Sequence, residues 1–232
     1  MAKKKKSRVP APPRPVQAPK RRVEPRDPRR TRILFLAIAG AIVLAAAIVG
    51  IAMAVGGGGS GIGASGVDGP CQRATFPPMG RQHVNQLSKG FVYNSFPPSS
   101  GPHYPPGPKA PAVWGIYDTA ADEVALVHNL EHGGVVVQYG DKVPQATIAQ
   151  IATWYGDSPL GLLVAPLPPV DEVHAEPPAN YQSKIFVTAW THVMTCSAFD
   201  EGAFDRFLDD YRGPQGDAPE KFPLESLQPG GQ

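Results

Sequence analysis

The chain has 232 residues and a formal net charge of +2, and that near-balance hides a split. Residues 1–32 carry 13 Lys+Arg and 2 Asp+Glu, a net of +11, while the remaining 200 carry 9 and 18, a net of −9. There is no glycine-rich phosphate loop, no nucleophile elbow and no C-x-x-C pair, and no aromatic residue interleaves the charges of the basic tail, which argues against nucleic-acid binding.

The basic, proline-rich tail 1–32 lacks the apolar bulk to bury a core and is expected to be disordered. Residues 33–55 form an uncharged run of 23 residues. At about 1.5 Å per residue it spans a hydrocarbon core of about 30 Å, so a single transmembrane helix is predicted. The charge split then puts the N-terminus in the cytoplasm and the rest outside. A cleaved signal peptide is the competing reading, since Ala52-Met53-Ala54 resembles a cleavage site. The glycine-rich stretch 56–69 reads as a flexible tether. Residues 70–222 are long enough for one ordinary domain, and 223–232 read as a flexible end.

That domain opens with irregular, Pro/Gly-rich sequence holding His83 and His103, because proline fixes φ and removes a donor. Regular structure is expected from Glu123. V-A-L-V-H reads as a strand, as do residues 133–139 with their β-branched run. In residues 144–157, Ile148, Ile151, Ala152 and Tyr155 follow helical spacing. L-G-L-L-V-A-P-L-P reads as a strand stopped by prolines, and K-I-F-V-T-A-W-T-H-V-M-T-C as one central strand. A closing helix carries Phe204, Phe207, Leu208 and Tyr211, with Ser197 or Asp200 as cap. Strands and helices mix without strict alternation, so the expected class is α+β: one compact mixed domain with an irregular N-terminal arm.

Cys71 and Cys196 are the only cysteines. Outside the cytoplasm an even count favours a disulfide, worth about 4–5 kcal/mol in the chain-entropy picture for so long a loop. The competing reading is a copper site on one strand face, from His192, Met194 and Cys196 at spacing two. The densest chemistry is His128-x-x-Glu131-His132. On a helix this is the inverted zincin pattern, with two imidazoles on zinc and Glu131 as general base, but the glycines that follow argue against a continuing helix. A site without hydrolysis uses the same residues. His103, His128 and His132 are the first ligands, His83 is a fourth, and Glu131 is a ligand or the orienter of an imidazole. Copper or zinc suits imidazole better than calcium or magnesium. The alternative is a buried hydrogen-bond network with no metal. His174, in an acidic proline-bounded loop, reads as solvated.

F-P-P-S-S-G-P-H-Y, V-H-N-L-E-H-G-G-V-V-V-Q-Y and the closing F-L-D-D-Y-R-G-P-Q-G-D-A-P-E together resemble a bacterial family, domain-of-unknown-function family 3105. The likeness covers roughly residues 71–220. It implies a single-pass membrane protein with a basic leader and an outer domain built on P-P-T-S-G-P-H and H-x-L-E-H-G. It also implies that His103, His128, Glu131 and His132 are the positions on which the pattern turns. Ser99 departs from the family's threonine but keeps the hydroxyl. The resemblance brings no reaction, and no catalytic residue is assigned. The expected function is a membrane-anchored extracytoplasmic protein that binds copper or zinc for an envelope role. The expected partners are the lipid bilayer, through residues 33–55, and another envelope protein. Two alternatives stand beside it: a non-catalytic interaction module and a zinc hydrolase.

Overall fold

The computed structural model describes residues 67–232. The expected basic tail, membrane span and most of the tether lie outside the described residues. Among those described, no helix is long and apolar enough to cross a membrane.

Seven strands form one mixed sheet: β1 (Val67–Asp68), β2 (Cys71–Thr75), β3 (Gly115–Ile116), β4 (Val135–Tyr139), β5 (Leu162–Pro166), β6 (Ile185–Ala189) and β7 (His192–Cys196), in the order β1-β2-β7-β6-β4-β5-β3. The β1 to β4 side of that order is antiparallel, and β5 runs parallel to both β4 and β3. Three helices complete the domain: α1 (Glu123–Glu131), α2 (Gln145–Asp157) and α3 (Glu201–Tyr211).

Side chains alternate across a strand, so each face of the sheet has its own core. Val135, Val137, Leu162, Val164, Ile185, Val187 and Met194 pack with Ile151 and Trp154 of α2 and Phe204 and Phe207 of α3. On the opposite face Val136, Leu163 and Ala165 meet Leu126, Val127 and Leu130 of α1, with Tyr93 and Trp114 from the irregular arm. The arm and α1 thus form a third layer, and this layer carries His83, His103 and His128.

Several expectations need correction. V-A-L-V-H is helical, not extended. Asp122 caps it, accepting from Val124 N at 2.9 Å, and Glu123 complements the first turn. All nine residues of α1 are buried, so no polar face marks the helical period. The expected single strand from Lys184 to Cys196 is a hairpin, β6 and β7, with Trp190-Thr191 at its turn. Neither residue is a usual turn former, and Thr191 holds a positive φ of 64° that a β-branched residue rarely adopts. Its N–H donates to the Ser99 carbonyl at 2.9 Å, which ties the turn to the arm.

The sheet begins at Val67, inside the stretch read as tether, and β2 lies well before Glu123. The end read as flexible is docked: Leu227 is buried, its carbonyl accepts from Gly161 N, and Gly230 and Gly231 pair with Trp114. Cys71 and Cys196, opposite each other on β2 and β7, form a disulfide. That bond removes the thiolate and ends the copper reading of β7. It also points to an oxidising, extracytoplasmic compartment.

Candidate metal centre

Helix α1 brings His128 and Glu131 to its last turn. The chain then ends the helix abruptly: Gly133 takes φ +90°, and a Cβ on Gly134 would lie 2.1 Å from the Trp114 ring. This explains the two glycines after His132. The carbonyls left open by the helix end are met by segment 213–222, with Glu220 N on Glu131 O at 3.0 Å and Gly213 N on Gly133 O at 2.7 Å.

The arm supplies the other imidazoles. His83 and His103 sit on two short extended segments that bridge in parallel, with Val84 N on His103 O at 2.8 Å and His103 N on Gln82 O at 3.0 Å. The arm is fixed to α1 by Asn129, whose amide pairs both ways with the Ala112 backbone at 2.8 Å. Tyr93 donates to the Pro102 carbonyl at 2.7 Å, and Ser95 and Ser99 bond within the serine-rich turn. The prolines and serines of this motif therefore hold His103 in place.

One ligand atom from each of His83, His103, His128 and Glu131 lies within 4.8 Å of the others. In an ideal tetrahedron with ligands about 2.1 Å from zinc, those separations are about 3.4 Å, so a modest contraction would close the shell. His103, His128 and Glu131 are buried, while the His83 side chain is 40% exposed. His103 Nδ1 donates to the Gly101 carbonyl at 2.8 Å, and His128 Nδ1 donates to the Tyr104 carbonyl at 2.7 Å. A carbonyl can only accept, so both Nδ1 atoms carry the proton, and in the neutral ring each Nε2 offers a lone pair. Anchoring one ring nitrogen in this way is how metal-binding histidines are oriented.

At His103 the Nε2 atom faces Glu131 Oε2 at 2.9 Å, and His83 Nε2 lies 3.4 Å from the same oxygen. Two acceptors cannot rest at 2.9 Å without a cation between them, either a proton or a metal. Burial pushes the Glu131 carboxyl up, but the His103 hydrogen bond and the charges of His103, His83 and His128 outweigh it and hold the carboxyl below its usual range. Burial pushes His128 down, aided by His103 and His83, so that ring favours the neutral, ligating form.

His132 stands at the edge of this group. It is one turn from His128 with ring centroids 4.7 Å apart, but it is not among the four converging residues. Its ring stacks on Phe222, and Nε2 lies 3.2 Å from Glu220. Burial, then the nearby His128, push its pKa down to about 4. Glu131, the base of the zincin reading, stands inside the candidate ligand set.

The structure also buries polar residues outside this group. His174 is buried rather than solvated, with Nδ1 donating to Asp171 at 2.8 Å and Nε2 3.9 Å from Glu123 Oε1. Glu123 in turn accepts from Gln138 at 2.9 Å. His192 lies between Thr75 at 3.1 Å and Asp217 at 2.8 Å. The one available signal was a polar residue inside an apolar run, as at Asn129.

The sequence profile of a family described as "Protein of unknown function (DUF3105)" matches residues 83–224. The match covers more than half of the chain and includes all five residues His83, His103, His128, Glu131 and His132, so the chain belongs to that family. No curated protein and no solved structure matches the chain.

Proposed function

Taking membership of the DUF3105 family as the premise, we propose that the chain is a membrane-tethered extracytoplasmic protein that binds one zinc or copper ion. His83, His103, His128 and Glu131 are the ligands, and His132 stands behind His128 rather than on the metal. The reading rests on one observation: His103 Nε2 and a Glu131 carboxylate oxygen meet at 2.9 Å with both Nδ1 protons of the buried imidazoles already committed. Three imidazoles and one carboxylate suit tetrahedral zinc or copper(II), and the site lies at the C-terminal end of α1, where the helix dipole favours a cation. In the metal-free protein a shared proton does the same electrostatic work, and metal uptake displaces it.

The remaining features extend the reading. The tail 1–32 stays in the cytoplasm, residues 33–55 cross the bilayer, and the folded domain presents its metal to another envelope protein. With Glu131 among the ligands, no free carboxylate in the group is left to act as a general base, which disfavours hydrolysis. The test is a zinc titration of the full-length chain with metal analysis and thermal melts. One equivalent of bound zinc is expected, with a melting temperature that climbs with the logarithm of free zinc. A fully folded protein that takes up neither zinc nor copper would end this reading and leave the cluster as a structural network.

A further inference from the structure

The four candidate ligands are unequal. His103, His128 and Glu131 are nearly inaccessible at 0%, 1% and 2% exposure, whereas 40% of the His83 side chain faces solvent. The buried imidazoles are also braced through Nδ1 by backbone carbonyls at 2.8 and 2.7 Å. His83 is held at its backbone, by the bridge to His103, and its ring stacks on His128 with centroids 5.1 Å apart. Its Nε2 reaches Glu131 only at 3.4 Å. Two residues along the chain, Asn85 begins the wall of a cleft of about 980 Å³, and Tyr104, whose carbonyl braces His128, lines the same cleft.

Resting on the metal-binding reading above, we propose that His83 is the exchange ligand of the centre. Metal enters and leaves by replacement of His83, and the acceptor is an imidazole-bearing segment of a partner protein. A partner cannot reach the metal from the side of the other three ligands without opening the core. At His83 it meets solvent, and the cleft lined by Asn85 and Tyr104 begins two residues along the chain. The exchange balances without redox chemistry. The bond from the metal to His83 Nε2 breaks as a bond to a neutral imidazole nitrogen of the acceptor forms. One neutral donor replaces another, so the charge at the metal is unchanged in this first step; the metal then leaves as further acceptor imidazoles replace His128, His103 and Glu131, and a proton returns between His103 and Glu131.

The experiment uses the full-length chain loaded with Co²⁺, whose visible bands report coordination, and an oligohistidine peptide as acceptor. In the wild type the rate of metal transfer is expected to rise in proportion to peptide concentration. Losing a group that only supports a ligand costs roughly 10–100-fold in affinity, so His83→Ala, at an exposed ligand, is expected to keep one bound metal with Kd raised at least that far. Its bands should shift toward those of a water-containing shell. His128→Ala is expected to lose binding outright. A wild-type transfer rate independent of peptide concentration would overturn the exchange role while leaving metal binding intact. So would a His83→Ala protein that binds as tightly as the wild type. A wild type that takes up no cobalt, zinc or copper sinks both readings together.

Discussion

Helix α1 carries a buried polar cluster at each end, and the two are built on opposite principles. At its start one imidazole, His174, is flanked by two carboxylates, Asp171 at 2.8 Å and Glu123 at 3.9 Å. At its end three imidazoles surround one carboxylate, Glu131. The first cluster sets one imidazole between two acids, an arrangement that favours a proton on the ring. Burial lowers the His174 pKa, but Glu123 and then Asp171 more than offset it, so the net shift is upward. The second is rich in imidazole, and its two buried rings commit their Nδ1 protons to backbone carbonyls. The mere presence of a buried histidine does not separate the two. The ratio of imidazole to carboxylate does, together with the partner of each Nδ1.

The contrast can be broken most sharply at the C-terminal cluster. His103→Ala or His128→Ala is expected to abolish stoichiometric zinc binding. With it should go the metal-dependent part of stability, about 2.7 kcal/mol when free zinc is 100-fold above Kd. Paired urea melts with and without zinc measure this, and equal losses in both conditions would assign the residues to structure alone. Next in size, His174→Ala is expected to cost about 1–3 kcal/mol, since it strips a buried carboxylate of its cation. That cost should be the same with and without metal, and a zinc-dependent cost would merge two clusters that are argued to be independent.

The pH response sharpens the comparison further. The folded-state pKa of His174 is raised, so its contribution is fully present below the unfolded value of about 6.5 and is lost as pH rises through the folded value. The stability gap between wild type and His174→Ala should therefore shrink on going alkaline, and a gap that widens would reverse the sign of the argument. The smallest effect is expected at His132. Its pKa is depressed to about 4, so its neutral ring favours the fold above about 6.5 and that contribution fades as pH falls toward 4. His132→Gln should leave zinc stoichiometry unchanged, as metal analysis would show. Loss of the bound ion would move His132 into the ligand set.

Much of this was legible in the residues. Helix α2 showed its period because one face is wet, and α3 because Phe204 and Phe207 alternate with acidic residues. The disulfide followed from compartment and count. Helix α1 escaped because it is buried on every side, so apolar spacing carried no phase. The β6–β7 hairpin escaped because Thr191 takes its left-handed turn only with the Ser99 carbonyl to hold it, a contact about ninety residues away in sequence. For the site, the motifs pointed to His103, His128 and Glu131. The sequence reading ranked His132 ahead of His83, whereas the residues that converge include His83 and not His132. That outcome depends on the bridge pairing His83 with His103, and on Phe222 and Glu220 drawing His132 aside.

The most direct test of the central claim is zinc-edge X-ray absorption on the zinc-loaded full-length chain. Three imidazole nitrogens and one oxygen at about 2.0–2.1 Å are the predicted shell. An oxygen-only shell, or one without the multiple-scattering signature of imidazole, would contradict it.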